Sequence, residues 1–206
     1  MLKQFTVIEG NIGSGKTSLS KMIAIEFEAN LILEEFEENP FLSDFLEDQK
    51  VNPLGVELQF LIDRFHQLQS PTNDKKPTVA DYFIEKSLVF SGNNLSKIEK
   101  NLFDSYYSVL FDKITKPDLL VYLSVNSDRL LKNIKKRGRK IEQDLTARYL
   151  ESIHQSYLEY LKSKTNESVL ILDVSELDFV KNPEDYALVK DTILNYNERK
   201  TTEIIF

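Results

Sequence analysis

Gly10-Asn11-Ile12-Gly13-Ser14-Gly15-Lys16-Thr17 fills every fixed position of the pattern G-x-x-x-x-G-K-[ST]. Before it stands Phe5-Thr6-Val7-Ile8-Glu9, a short β-rich run. After it Leu19, Met22, Ile23 and Phe27 recur at helical spacing. A strand, a glycine turn and a helix in that order make a phosphate-binding loop. Glycines let backbone N–H groups converge on phosphate oxygens without Cβ clashes, and the helix N-terminus adds partial positive charge. Lys16 is placed to reach the β- and γ-phosphates of a nucleoside triphosphate, and the Thr17 hydroxyl to bind Mg²⁺. Half of the six glycines in the chain sit in this loop, so a chance glycine-rich turn is a poor alternative.

Outward from the loop, strand and helix alternate. Leu31-Ile32-Leu33 reads as a second strand, and Asn39-Pro40 as the opening of a helix. Residues 55–69 read as a helix with Leu58, Leu61, Ile62, Phe65 and Leu68 on one side, and 70–77 as a polar surface loop. Thr78-Val79-Ala80-Asp81 is a third strand ending in an acid. A long helix is expected over 95–114, with Ile98, Leu102, Tyr106, Val109 and Leu110 facing inward. Leu119 to Leu123 is a continuous apolar run, hence a strand buried on both faces. Helices follow over about 127–136 and 145–161, then a fifth strand at Val169-Leu170-Ile171-Leu172 and a last helix over 183–195. Buried strands joined by helices predict an α/β fold: a five-stranded parallel sheet with helices on both faces, in a single domain spanning 1–206.

Composition narrows the function. The chain has 206 residues, of which 41% are apolar and 29% charged, ordinary globular values. No apolar run approaches the ~20 residues needed to span a bilayer, and no signal peptide is expected before the first strand. The absence of cysteine excludes disulfides, thiolate metal sites and cysteine nucleophiles, and suits a reducing cytoplasm. A net charge of −7 argues against a general nucleic-acid partner, as such proteins are usually basic.

Several side chains stand out against this background. Glu34 and Glu35 end the second strand, where ligands gather in open parallel sheets. Either is a candidate proton acceptor for an attacking hydroxyl, with a solvated acidic turn through Glu37 and Glu38 as the plain alternative. Asp81 occupies the place of an acid near Mg²⁺, or else caps the next helix. Six basic residues crowd 132–140, among them Arg137 and Arg139 around Gly138. They suit a lid over a transferring phosphoryl group, or a helix end complementing its own dipole. Arg64 is placed to clamp a phosphate or pair with an acid. His66 and His154 lack metal-ligand spacing and read as structural or exposed.

With these motifs in view, the chain resembles the deoxynucleoside kinases related to deoxycytidine and deoxyguanosine kinase, the bacterial branch above all. The resemblance runs through the loop from Glu9 to Thr17, the stretch Glu34-Glu-Phe-Glu-Glu-Asn-Pro-Phe-Leu42, Arg64 and Asp81. It continues through Pro117 to Leu123, Arg137-Gly-Arg-Lys-Ile-Glu-Gln143 with Tyr149-Leu-Glu151, and Leu172-Asp-Val174 with Asp178-Phe179. The phosphate loop is superfamily-level, whereas the R-G-R-x-x-E-Q element is family-level. The resemblance implies a homodimer built on a five-stranded parallel sheet. It makes Glu34, rather than Glu35, the general base for the 5′-hydroxyl, and Arg137 and Arg139 lid arginines on the phosphates. It makes Glu142 the ligand of the sugar 3′-hydroxyl, and Asp178 and Phe179 part of the loop that holds the donor base. Phe60 is placed to pack under the substrate base. Three departures accompany it. Asp81-Tyr82-Phe83 stands where the family often has an acid-Arg-Ser triplet, Glu57 where a glutamine commonly reads the base, and Leu46 near a usual tyrosine.

The activity expected is transfer of the γ-phosphate of ATP, with Mg²⁺, to the 5′-hydroxyl of a deoxynucleoside, deoxyadenosine being favoured over other purine or cytosine deoxynucleosides. A nucleoside monophosphate kinase is the rival with the same loop, but Asp81-Tyr82 lacks an arginine to grip an acceptor phosphate. A GTP-dependent switch would need an Asn-Lys-x-Asp element, which is absent.

Overall fold

The computed structural model of the protein describes residues 1–35, 39–48, 50–69, 75–139 and 142–206. Of the features named above, Glu37, Glu38, residues 70–74, Lys140 and the side chain of Leu46 lie outside the described residues.

Each apolar run of the sequence becomes a strand, and the strands pair side by side. β1 (Phe5–Gly10), β2 (Asn30–Ile32), β3 (Thr78–Ala80), β4 (Leu119–Ser124), β5 (Val169–Asp173) and β6 (Thr201–Ile205) form one sheet in the order β2-β3-β1-β4-β5-β6. Every neighbouring pair is parallel. The five expected strands are all present, and β6 extends them to six. It was missed because Thr201-Thr202-Glu203 is polar and the strand lies at an edge, half exposed.

Because side chains alternate across a strand, the sheet carries two cores. Phe5, Val7, Ala80, Leu120, Tyr122, Val169 and Ile171 face one of them. It is closed by α3 (Pro53–Leu68), α4 (Lys86–Asn94), α5 (Lys97–Phe111) and α7 (Ala147–Ser163). Ile8, Val79, Leu119, Val121, Leu123, Leu170 and Leu172 face the other, closed by α1 (Lys16–Glu26), α6 (Ser127–Arg137) and α8 (Pro183–Asn195). Helix boundaries follow local chemistry. Asn52 and Pro53 open α3, a Ser96–Glu99 capping box opens α5, and Gly138, with φ +74°, ends α6 in the left-handed region. The short α2 (Leu42–Glu47) begins two residues beyond Pro40, while Asn39 donates to the Val56 carbonyl and ties this segment to α3.

Two expectations are corrected. The helix expected over 95–114 is α5, and it is preceded by a separate helix, α4, that the sequence reading does not place. On α5 the inward residues are Phe103 and Tyr107, with Leu110 half-buried. Ile98, Leu102, Tyr106 and Val109 instead point outward, 84%, 47%, 55% and 59% exposed. The helix carries two apolar stripes, and only one can face α3 and α4. On α3, Ile62 also points outward, at 44% exposure. Among the described residues no helix is long and apolar enough to cross a membrane.

Candidate active site

The sheet order turns at β1. The chain moves from β1 to one side for β2 and β3, then to the other for β4, β5 and β6. Ligands bind outside the carboxyl ends of strands at such a reversal, and every functional side chain expected from the sequence and described here gathers there.

The phosphate loop leaves β1 and enters α1, with φ +83° at Gly13 and +92° at Gly15. A Cβ on Gly15 would fall 2.8 Å from the Phe179 ring, so this glycine is required both by conformation and by contact. The loop is pinned from behind: Asn11 donates to the Leu150 carbonyl at 2.7 Å, and Asn133 donates to the Gly13 carbonyl at 2.9 Å. The Ser14 hydroxyl is buried against Gly10 with no hydrogen-bond partner. Burial, and the nearby Lys86 ammonium, lower the Lys16 pKa to about 8.

Glu34 follows β2 and turns into the site, while Glu35 is exposed. Arg64 Nε and Nη2 both donate to Glu34 Oε1, at 2.9 and 2.6 Å, and Lys86 Nζ lies 2.5 Å from Oε2. Burial alone would raise the carboxyl pKa, but Lys86, Arg64 and Lys16 outweigh it and hold Glu34 well below the usual carboxylate range. Arg64 therefore pairs with an acid, and its Nη1 also donates to Ser87 Oγ at 2.7 Å. Asp81 follows β3 and caps no helix. Its Oδ2 accepts from the Thr17 hydroxyl at 2.5 Å and its Oδ1 from the Glu34 backbone N–H at 2.8 Å.

Lys86 was not anticipated. It places a buried cation against Glu34, close to where the family's arginine after Asp81 is missing. Glu85-Lys86-Ser87 is itself an acid–cation–serine triplet, four residues farther along the chain, and Lys86 is only 6% exposed. A lysine inside the apolar run that follows Asp81 was the available signal.

A cavity of about 230 Å³ joins these groups. Lys16, Thr17, Glu34, Arg64, Asp81 and Lys86 line its ionic part; Val56, Phe60 and Phe90 line an apolar part, together with Glu57, Asn94 and Tyr149. The Arg64 guanidinium lies 4.9 Å from the Phe60 ring centre. From the turn after α6, Arg137 and Arg139 both pair with the buried Glu142, Arg139 Nη1 at 3.5 Å from Oε1. A second cavity, of about 370 Å³, opens on the other side of the loop, lined by Gly13, Gly15, Arg129, Asn133, Asp178 and Phe179. Arg137 borders both cavities. His66 is exposed, and the His154 ring meets the Tyr122 hydroxyl at 2.9 Å, outside the site.

Comparison with known proteins accords with this geometry. The family model for deoxynucleoside kinase matches residues 6–196. The chain is 34% identical over 202 residues to deoxyguanosine kinase of Bacillus subtilis, covering 92% of this chain and 98% of that protein. It is 29% identical to deoxyadenosine kinase of Lactobacillus acidophilus, covering 87% and 89%. The solved structure of deoxyadenosine kinase from M. mycoides with bound dATP superposes with a TM-score of 0.81 at 25% identity, covering 93% of this chain and all of that one. With its loop, its sheet order and a family match over nearly its whole length, the chain belongs to the deoxynucleoside kinases and is a phosphotransferase.

Proposed function

We propose that the whole chain works as one kinase domain that transfers the γ-phosphate of ATP to the 5′-hydroxyl of a purine deoxynucleoside in the cytoplasm. The observation that carries this is the charge balance at the acceptor end of the first cavity. Arg64 and Lys86 are paired with Glu34, and Arg137 and Arg139 with Glu142. A neutral hydroxyl suits such a site better than an acceptor phosphate, which would need cations to spare.

In this reading the triphosphate lies along the loop, with Lys16 on its β- and γ-oxygens and its base between Asp178 and Phe179. Thr17 and Asp81 would hold Mg²⁺. Their adjacent hard oxygens fit an ion that keeps waters and phosphate oxygens as its other ligands, and when bound it neutralises charge on the transferring group. Glu34 accepts the 5′-hydroxyl proton. Its pKa is depressed while Lys16 and Lys86 face it unopposed; a triphosphate drawing on the same cations raises its basicity where it is needed. Arg137 and Arg139 then move from Glu142 to the phosphates, and Glu142 takes the 3′-hydroxyl. Phe60 packs under the base.

Sequence resemblance favoured deoxyadenosine, and relatives include both a deoxyguanosine and a deoxyadenosine kinase. A carboxylate at Glu57 faces the carbonyl acceptors of thymine badly, so thymidine is expected to be the poorest substrate. The exposed stripe of α5, Ile98-Leu102-Tyr106-Val109, is the surface proposed to join two copies into a homodimer. The test is a panel of deoxynucleosides, ribonucleosides and monophosphates with ATP–Mg²⁺. Turnover confined to deoxynucleosides is expected; efficient phosphorylation of a monophosphate would refute the proposal.

A further inference from the structure

Glu57 lies on α3 at 2% exposure and lines the apolar part of the first cavity. Its Oε1 accepts from Asn94 Nδ2 at 2.7 Å, whereas Oε2, equally buried, has no hydrogen-bond partner. Asn94 is itself held, its Oδ1 lying 3.5 Å from the Tyr149 hydroxyl. A carboxylate offers no donor, so the Asn94 amide must present its NH₂ to Glu57 and its oxygen to Tyr149. The result is a buried acceptor at the wall of a cavity that also presents Phe60 and Phe90. A buried acceptor without a donor is costly, and an aromatic-walled cavity suits a nucleobase that brings one.

Resting on the deoxynucleoside reading above, we propose that the Glu57–Asn94 pair decides which purine is phosphorylated. With Glu57 ionised the site takes guanine and turns adenine away; with Glu57 neutral it takes both. Guanine presents two adjacent donors, N1–H and N2–H, to a group that only accepts. Adenine presents one donor, N6–H, beside the lone pair of N1, which an ionised carboxylate opposes. A neutral carboxyl both donates and accepts, so it pairs with adenine N1 and N6–H, or equally with guanine O6 and N1–H. A site that leaves a buried polar group unpaired discriminates strongly.

The groups facing Glu57 come from four directions. Arg64 lies on its own helix, Lys86 and Asn94 on α4, Tyr149 on α7, and Glu34 after β2. Arg137, Arg139 and Glu142 border the same cavity. Burial raises the Glu57 pKa to about 7, against the Asn94 hydrogen bond and the charges of Arg64 and Lys86. Both forms of the side chain are therefore present near neutral pH.

The experiment measures kcat/KM for deoxyguanosine and for deoxyadenosine between about pH 6 and about pH 8.5, with saturating ATP–Mg²⁺. Groups that serve both substrates alike, such as Lys16 and Glu34, drop out of the ratio. The deoxyguanosine-to-deoxyadenosine ratio is expected to climb about tenfold per pH unit above the Glu57 pKa, because only adenine needs the proton. In Glu57→Gln the ratio should stay low and flat across the range. A flat ratio in the unmutated enzyme, or a slope that survives Glu57→Gln, overturns the proposal. Dissociation constants of the two nucleosides without donor provide the same ratio by binding, so the unmutated protein decides the matter even if the variant does not fold. Absence of turnover with any deoxynucleoside would count against the kinase reading of the cavity, while the binding ratio would still judge Glu57.

Discussion

Lys16 and Glu34 carry the sharpest expectations at the scale of single residues. Lys16→Ala removes charge from the phosphates in both ground and transition states, and a loss in kcat of at least ~10²-fold is expected; near-normal turnover in a folded variant would count against the loop assignment. Glu34→Gln keeps size and removes the proposed proton acceptor, at an expected cost of ~10²- to 10⁴-fold in kcat. Glu35→Gln, altering an exposed side chain, should leave kcat nearly unchanged. Donor binding should also depend on pH. The Lys16 pKa is lowered to about 8, so its ammonium is present below that pH and lost above it. KM for ATP is thus expected to rise as pH passes 8, by up to about tenfold per unit, as a donor titration at fixed nucleoside would show. The loop was legible in the sequence because its chemistry is local: eight consecutive residues contain the turn, the lysine and the hydroxyl. Lys86 was not, because its meaning depends on Glu34, 52 residues away, and no spacing rule links them.

Among the elements, the turn after α6 and the strand β6 behave differently. Arg137→Ala and Arg139→Ala should lower kcat more than they weaken nucleoside binding, since their charge is wanted mainly as the phosphoryl group transfers. Glu142→Ala should penalise 2′-deoxynucleosides while sparing 3′-deoxy analogues, and equal losses for both sugars would exclude a 3′-hydroxyl contact. Deleting residues 200–206 removes β6, uncovers the edge of β5 and strips the Tyr196 hydroxyl of its bonds to the Lys200 carbonyl and to Thr202. A fall in melting temperature of about 5 °C or more is expected from calorimetry. Buried strands such as β4 announced themselves as apolar runs, whereas β6, polar and at an edge, did not. The helix α5 was recognised as a helix but turned the wrong way, because periodicity identifies an apolar stripe without naming what it faces.

For the whole molecule, the outward stripe of α5 leads to an expectation about assembly. Leu102→Glu or Tyr106→Glu should convert a dimer to a monomer in sedimentation, with the fold retained; an unmutated protein that sediments as a monomer would exclude this surface. The fold class was legible because alternation of strand and helix is a global pattern, while the joining of two cavities across one loop emerges only in three dimensions. Arg137 borders both cavities and is held by Glu142. In the proposed cycle a triphosphate that claimed Arg137 would release Glu142 for the sugar, so occupancy of one chamber would be felt in the other. Thermodynamic reciprocity then requires each ligand to strengthen the other by the same factor. Calorimetric titration of nucleoside into enzyme, with and without a non-hydrolysable triphosphate, should reveal that mutual cooperativity, and Arg137→Ala should abolish it.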